Sequence, residues 1–282
     1  MVVLDNGKIR IEIAELGAEI RRVTVDGEER FWNGDEKYWT GVAPVLFPIC
    51  GGLKDKKYTV NGKEYFLENH GFARKMIFEK ESADENTAVF LLRDTEETLK
   101  VYPWHFELRV KYTLDEKNIR VEYDVKNLSD STMYAAVGSH EAYLCPEGIE
   151  DYDIIFSENE TLNSGVLDGC LLTRDTVTYL SNSKVLPIYS KYFDVDTLVF
   201  TDIKSRFVTL KNRKTEKKVS VEFNGFDNLL IWTKQGAPYL CIEPWTTCPS
   251  YTDIGYEISD KVGMTAIEPD GSFNKVHTIY FD

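Results

Sequence analysis

The sequence predicts an all-β protein, a large antiparallel β-sandwich with a few short helices. Three observations lead there: stretches in which apolar residues recur at every second position, tight-turn dipeptides between several of them, and almost no apolar spacing of helical period. The 282 residues are 43% hydrophobic and 13% aromatic, enough for a sizeable ordered core. No fixed-period repeat, low-complexity linker or compositional shift divides the chain. A single domain over residues 1–282 is therefore expected, since long all-β chains commonly form one unit.

From the N-terminus, "KIRIEIAEL" alternates Ile9, Ile11 and Ile13 with Arg10 and Glu12. "VTVDGEERFW" and "YTVNGKEYF" hold Asp26-Gly27 and Asn61-Gly62, dipeptides that suit two-residue hairpin turns because both positions tolerate positive φ. "TEETLK" has the makings of a short helix. "FELRVKYTL" sets Phe106, Leu108, Val110, Tyr112 and Leu114 on one face. "NIRVEYDVKN" follows with Ile119, Val121, Tyr123 and Val125, so the intervening "DEKN" closes an antiparallel hairpin. "YAAVGSHEAY" is a nearly uncharged, strand-like run. "RFVTLKN", "KVSVEFNGF", "LLIWT" and the terminal "VHTIYFD" continue the pattern, and "TDIGYEISDK" offers a second short helix.

The formal net charge is −14, with acidic residues spread along the chain and no long basic block. That argues against nucleic acid or a polyanionic membrane surface as a partner. Cys50, Cys145, Cys170, Cys241 and Cys248 form no CxxC pair and are scattered through apolar stretches. They read as free, buried thiols of a reducing compartment. The opening "MVVLDNGKIRIEIAE" has no signal-peptide core. The longest uncharged run, 38–53, is interrupted by Pro44, Pro48 and glycines, so it is no membrane-spanning helix. A cytoplasmic location is expected.

One stretch raises a question of chemistry. In "APYLCIEPWTTCP", residues 237–249, a single carboxylate, Glu243, stands among Tyr, Leu, Cys, Ile, Pro and Trp. An ionised carboxylate without a partner is expensive to bury, so Glu243 has a partner or a task. In a strand, Tyr239, Cys241, Glu243 and Trp245 share one face and Leu240, Ile242 and Pro244 the other. A carboxylate beside aromatic rings suits a sugar, whose C–H faces stack on rings while its hydroxyls bond to oxygen. The plainer alternative is a buried glutamate satisfied by an arginine or by backbone amides.

The chain has four histidines. His105 precedes a strand and is expected to be structural or exposed, and His277, near the terminus, has little to recommend it. His140 shares its face with Gly138 and Ala142, which leaves open space around the imidazole. His70 is followed by Gly71, with Arg74 four residues on. A lone histidine in an apolar strand is more often a satisfied core residue. Two of them together with Glu243 shift the balance toward a site.

Several chemistries fit these residue types. Two histidines and a carboxylate form a metal triad, but no HxD or HExxH spacing supports one, and no metal is expected. A glycosidase needs two carboxylates, which Glu243 with Asp196 or Asp227 would supply. No GxSxG elbow is present for a hydrolase. Proton transfer between a histidine acid and a glutamate base suits opening and closing a sugar ring.

The run "APVLFPICGGLKDKKYTVNGKEYFLENHGFAR", then "GSHEAY" and "CIEPW", with "ELGAEIRRV" and "FWNGDEKYW" ahead of them, resembles the aldose 1-epimerase (galactose mutarotase-like) superfamily. The similarity is to its LacX-like branch, related to the hexose-6-phosphate epimerases. It implies a large β-sandwich with the site on its concave face. By the same resemblance His140 protonates the sugar ring oxygen and Glu243 takes the proton from the anomeric hydroxyl. His70, Arg74 and Asp196 hold the substrate, a small-molecule sugar, and no cofactor is needed.

Two departures from the branch stand out. Gly41, Val42 and Gly52 occupy the places where relatives usually carry arginines, which argues against a phosphorylated sugar. Glu141 replaces a proline of the family's "GGHPAF" and is expected to face away from His140 with little effect. The expected activity is interconversion of the α and β anomers of a free hexose. The alternatives are a non-catalytic carbohydrate-binding protein on the same fold, a hexose-6-phosphate 1-epimerase or a glycoside hydrolase.

Overall fold

The computed structural model describes all 282 residues. Strands account for 52% of them and helix for 9%, as the alternating pattern requires. A nine-stranded sheet forms the frame. It runs in the order Leu171–Pro187, Tyr152–Asp168, Phe207–Asn212, Lys218–Glu222, Ser272–Phe281, Asn118–Asn127, Phe106–Asp115, Thr87–Arg93 and Glu79–Ala83. A four-stranded sheet, Glu141–Leu144, Tyr239–Trp245, Asn228–Trp232 and Thr197–Phe200, carries the residues of most interest. A second four-stranded sheet of N-terminal strands and two two-stranded ribbons complete the fold. The neighbouring strands within these sheets all pair antiparallel.

Local sequence accounts for much of this. Phe106–Asp115 is buried at every second residue and pairs in register with Asn118–Asn127, the hairpin expected from "DEKN". The turns at Asp26-Gly27 and Asn61-Gly62 have positive φ at both positions, the twist that matches two antiparallel strands. "TEETLK" becomes the helix Glu96–Val101, capped reciprocally by Thr95 and Thr98. "TDIGYEISDK" yields only a single 3₁₀ turn, Ile258–Asp260. "YAAVGSHEAY" is not one strand: Met133–Ala135 and Glu141–Leu144 belong to different sheets, and residues 136–140 cross between them.

One hairpin has no counterpart in the sequence-based expectations. Tyr152–Asp168 and Leu171–Pro187, 17 residues each, form the edge of the large sheet, and repeated register shifts break their period-two pattern.

Tyr239–Trp245 is buried at all seven positions, because both of its faces are covered. Toward the large sheet, Glu141 reaches His277 and the ring of Phe31 packs between Tyr143 and Phe281. A cluster of 71 buried side chains draws on residues from Val2 to Phe281 and fills the space between the layers. No helix is long and apolar enough to cross a membrane.

Candidate active site

The register of the small sheet builds the site. Glu141 pairs with Ile242, Ala142 with Cys241, and an isolated bridge pairs Gly138 with Trp245. Continuing that register places His140 opposite Glu243, and residues directly opposite share a face. On the other side Leu230 lies opposite Glu243, with Val199 opposite Leu230 and Thr197 opposite Trp232. The outward face of the sheet thus presents His140, Glu243, Trp245, Leu230, Trp232, Val199 and Thr197, all of which line one cavity.

The cavity has a volume of about 260 Å³. His70 and Arg74 form one wall. Leu167, Gly169 and Cys170, from the tip of the long edge hairpin, form the rim together with Gly51, Gly52 and Pro249. Trp39 closes the remaining side, its ring 4.8 Å from the His140 imidazole and inclined by 30°.

At the floor, His140 Nε2 lies 3.4 Å from Glu243 Oε2. The two groups are in contact but not aligned as a hydrogen bond, and both Glu243 Oε2 and His140 Nδ1 are buried without a hydrogen-bond partner. The Glu243 side chain is 1% exposed and that of His140 11%. Burial pushes the Glu243 carboxyl well above the usual carboxylate range, and the negative charges of Glu141 and Asp196 push it the same way. Burial lowers His140 to about 4, partly opposed by its own backbone and by the charge of Glu141. Both shifts favour the uncharged form of the group concerned.

His70 sits at φ +66° and Gly71 at φ +69°. A Cβ at Gly71 would lie 2.3 Å from the Phe47 carbonyl oxygen, so only glycine fits there. The Gly51 N–H donates to His70 Nδ1 at 3.2 Å, which leaves the proton on Nε2. Burial, then His140 and Arg74, hold His70 well below its ordinary pKa, so it is a neutral donor. Arg74 donates from Nη2 to the Asn69 carbonyl at 3.0 Å, while its buried Nε has no partner.

All five residues singled out in the sequence, His140, Glu243, His70, Arg74 and Asp196, line the cavity. Asp196 ends a 3₁₀ segment at φ +80°, and its Oδ1 accepts from Trp232 Nε1 at 2.9 Å. Asp194 is turned away and accepts from Gln235 Nε2 at 2.7 Å. Asp227 is exposed, pairs with Arg206 and does not reach the site. His105 is exposed and bonded to Asp94.

Two expectations are corrected, for Cys170 and Glu141, and His277 proves to be a buried partner of Glu141 outside the cavity. Cys170 is exposed at the rim, because it belongs to a hairpin tip and not to the core; the other four cysteines are buried. His277 is wholly buried, its Nε2 3.0 Å from Glu141 Oε1. Glu141 does face away from His140, yet it is not inert. It is a second buried carboxylate directly behind the floor, and its charge acts on both His140 and Glu243. Trp39 and Trp232 complete the lining without having been singled out. Asn228, Leu230 and Trp232 alternate in "NLLIW", which would have placed Trp232 beside Glu243's strand.

The places of the missing arginines are filled. A Cβ at Gly41 would lie 2.4 Å from the Trp39 ring, and one at Gly52 would lie 2.8 Å from Cys170. Arg74 is the only lysine or arginine lining the cavity.

Comparison with known proteins places this geometry among others. The pattern of the aldose 1-epimerase family matches residues 1–253. The chromosomal protein LacX of Lactococcus lactis subsp. lactis is 35% identical over 293 aligned positions, covering 99% of this chain and 98% of LacX. A galactose mutarotase related enzyme from Lactobacillus acidophilus superposes with a TM-score of 0.95 at 31% identity, covering 100% of this chain and 97% of that one. A galactose mutarotase-like protein from Lactobacillus casei shares the fold, with a TM-score of 0.92 at 24% identity and full coverage of both chains.

Proposed function

The chain belongs to the aldose 1-epimerase family, and from that premise we propose that it interconverts the α and β anomers of a free hexose. The observation that carries the reading is the His140–Glu243 pair, 3.4 Å apart at the floor of one cavity. The two oxygens that exchange protons in mutarotation, O1 and O5, are bonded to the same carbon. An acid and a base serving them must therefore be neighbours.

In the forward direction the Glu243 carboxylate accepts the proton of the O1 hydroxyl, and the His140 imidazolium donates a proton to O5. The C1–O5 bond breaks and the C1=O1 double bond forms. Rotation about C1–C2 presents the other face of the aldehyde, and reclosure returns both protons. The ion pair that begins the step and the neutral pair that ends it hold the same number of protons. The neutral pair favoured by burial is the protonation state that accompanies the open-chain aldehyde, so no proton needs to enter or leave the cavity.

His70, as a neutral Nε2–H donor, Arg74 and Asp196 are placed to hold hydroxyls, and Trp39 and Trp232 to stack on the ring. A lining with one arginine and two carboxylates supports a neutral sugar over a phosphorylated one. The volume, about 260 Å³, suits one sugar ring. We read residues 1–282 as one domain, in keeping with a core drawn from both ends of the chain.

Polarimetry on freshly dissolved α-glucose, α-galactose and glucose 6-phosphate tests this. The expected result is acceleration on a free sugar, abolished in His140→Ala. Acceleration on the phosphate alone would overturn the substrate class. Rates no faster than spontaneous mutarotation on a broad panel of sugars would favour a sugar-binding protein.

A further inference from the structure

Proton transfer makes no use of Cys241, although its thiol belongs to the same cluster. Cys241 stands two residues before Glu243 on the face turned to the site, and it is wholly buried. The ligand atoms of His140, Cys241 and Glu243 all lie within 4.8 Å of one another. Glu243 Oε2 has no hydrogen-bond partner there.

We infer that His140 Nε2, Cys241 Sγ and the Glu243 carboxylate form a site for a thiophilic divalent cation, for which Zn²⁺ is the probe. Occupancy shuts the epimerase off by seizing its acid and its base together. Bonds of about 2.1 Å to N and O and 2.3 Å to S, arranged tetrahedrally, set neighbouring ligands about 3.4 to 3.6 Å apart. His140 Nε2 and Glu243 Oε2 are already separated by 3.4 Å. The sulfur lies within 4.8 Å of the other two ligand atoms and completes the set by closing at most about 1.2 Å, within the reach of a small side-chain adjustment.

The charges also match. Zn²⁺ with one thiolate, one carboxylate and one neutral imidazole is a neutral assembly, the only kind that a buried floor holds cheaply. Binding releases the thiol proton and the carboxyl proton to solvent, and no oxidant or reductant is involved. The fourth position faces the cavity, open to water or to a sugar hydroxyl. A thiolate and an imidazole favour zinc or cobalt and discriminate against magnesium and calcium. This ligand set differs from a two-histidine triad, since His70 Nδ1 is engaged by the Gly51 N–H.

Metal binding and inhibition are tested separately, and only the second rests on the epimerase reading. Co²⁺ is added to the Cys170→Ser protein, which removes the exposed thiol, and to the same protein carrying Cys241→Ser or Cys241→Ala. The expected result is one Co²⁺ per chain with a near-ultraviolet sulfur-to-cobalt charge-transfer band, lost in both Cys241 variants. Circular dichroism confirms that they are folded. Mutarotation by the parent falls with Zn²⁺ and returns with EDTA, while the Cys241 variants, whatever their own rates, need at least tenfold more Zn²⁺ for the same fractional loss. A band that persists without Cys241, or equal zinc sensitivity with and without it, overturns the inference. A Co²⁺ band in a protein inactive on every sugar would uphold the metal site and refute the epimerase.

Discussion

Glu243→Gln should make the protein slower and, near neutral pH, more stable. The substitution keeps the shape of the side chain and removes its charge. A lost general base costs about 10²- to 10⁴-fold in rate, roughly 3 to 5.5 kcal/mol of barrier. The stability change follows from linkage. The folded-state pKa of Glu243 is raised above its ordinary 4.5, so below about pH 4.5 the carboxyl is protonated in both states and wild type and variant differ little. Above it the unfolded chain releases its proton while the folded one retains it. Wild type then loses up to about 1.4 kcal/mol per pH unit until the folded carboxyl ionises.

By pH 7 the variant is therefore expected to be the more stable of the two, the more so the further the folded carboxyl is raised. His140, lowered from 6.5 to about 4, acts in the opposite direction, adding stability between those values in both proteins. The difference between the two proteins is therefore the informative quantity, with Asp196, Glu141 and Arg74 as the other charges bearing on the pair. Urea denaturation at pH 5, 6, 7 and 8, followed by tryptophan fluorescence, measures it. A gap that does not widen with pH, or a wild type more stable at pH 8, would show that Glu243 is a well-compensated carboxylate and refute the reasoning.

Lys261 is buried, donates to the Cys248 carbonyl and is lowered by burial from 10.5 to about 8. Stability should rise from pH 8 to pH 10.5, and Lys261→Met should be more stable by at most about 3 kcal/mol at pH 7 and should flatten that rise in denaturation curves. Gly71→Ala should cost at least about 2 kcal/mol in urea unfolding, because the new Cβ meets the Phe47 carbonyl and the φ is left-handed. Trp232→Phe, which removes the donor to Asp196 Oδ1, should raise KM several-fold in mutarotation assays with less effect on kcat. His277→Phe leaves the buried Glu141 carboxylate alone behind the floor and should cost about 2 to 4 kcal/mol in thermal or urea unfolding, most of it recovered by adding Glu141→Gln.

The sequence was most informative where one local rule decided the outcome. Ile9–Ile13 and Phe106–Asp115 alternate cleanly because one side is core and the other solvent, and the Asp-Gly and Asn-Gly turns carry their own geometry. Alternation also put Glu243 and Trp245 on one face, as they are found. It was less informative for His140, which stands in a crossing segment and is aligned by the register of its neighbours. The His277–Glu141 contact joins residues 136 positions apart on different sheets, and nothing local announces it. The long edge hairpin escaped because bulges break its period and much of its outer strand is exposed. Asp196 and Asp194 are chemically alike, and only the reversed backbone at Asp196 separates their surroundings.

The cavity's floor and its rim have separate origins. His140 and Glu243 are fixed by strand register inside the small sheet, whereas Leu167, Gly169 and Cys170 arrive on a hairpin rooted in the large one. A change at that tip can reshape the entrance while leaving the hydrogen-bond ladder beneath His140 and Glu243 intact. On the proposed reading, sugar preference is then free to drift in an evolving lineage while the proton chemistry is inherited unchanged. For an engineer the same separation makes residues 167–170 the place to graft new loops, with the reaction held constant as the reference.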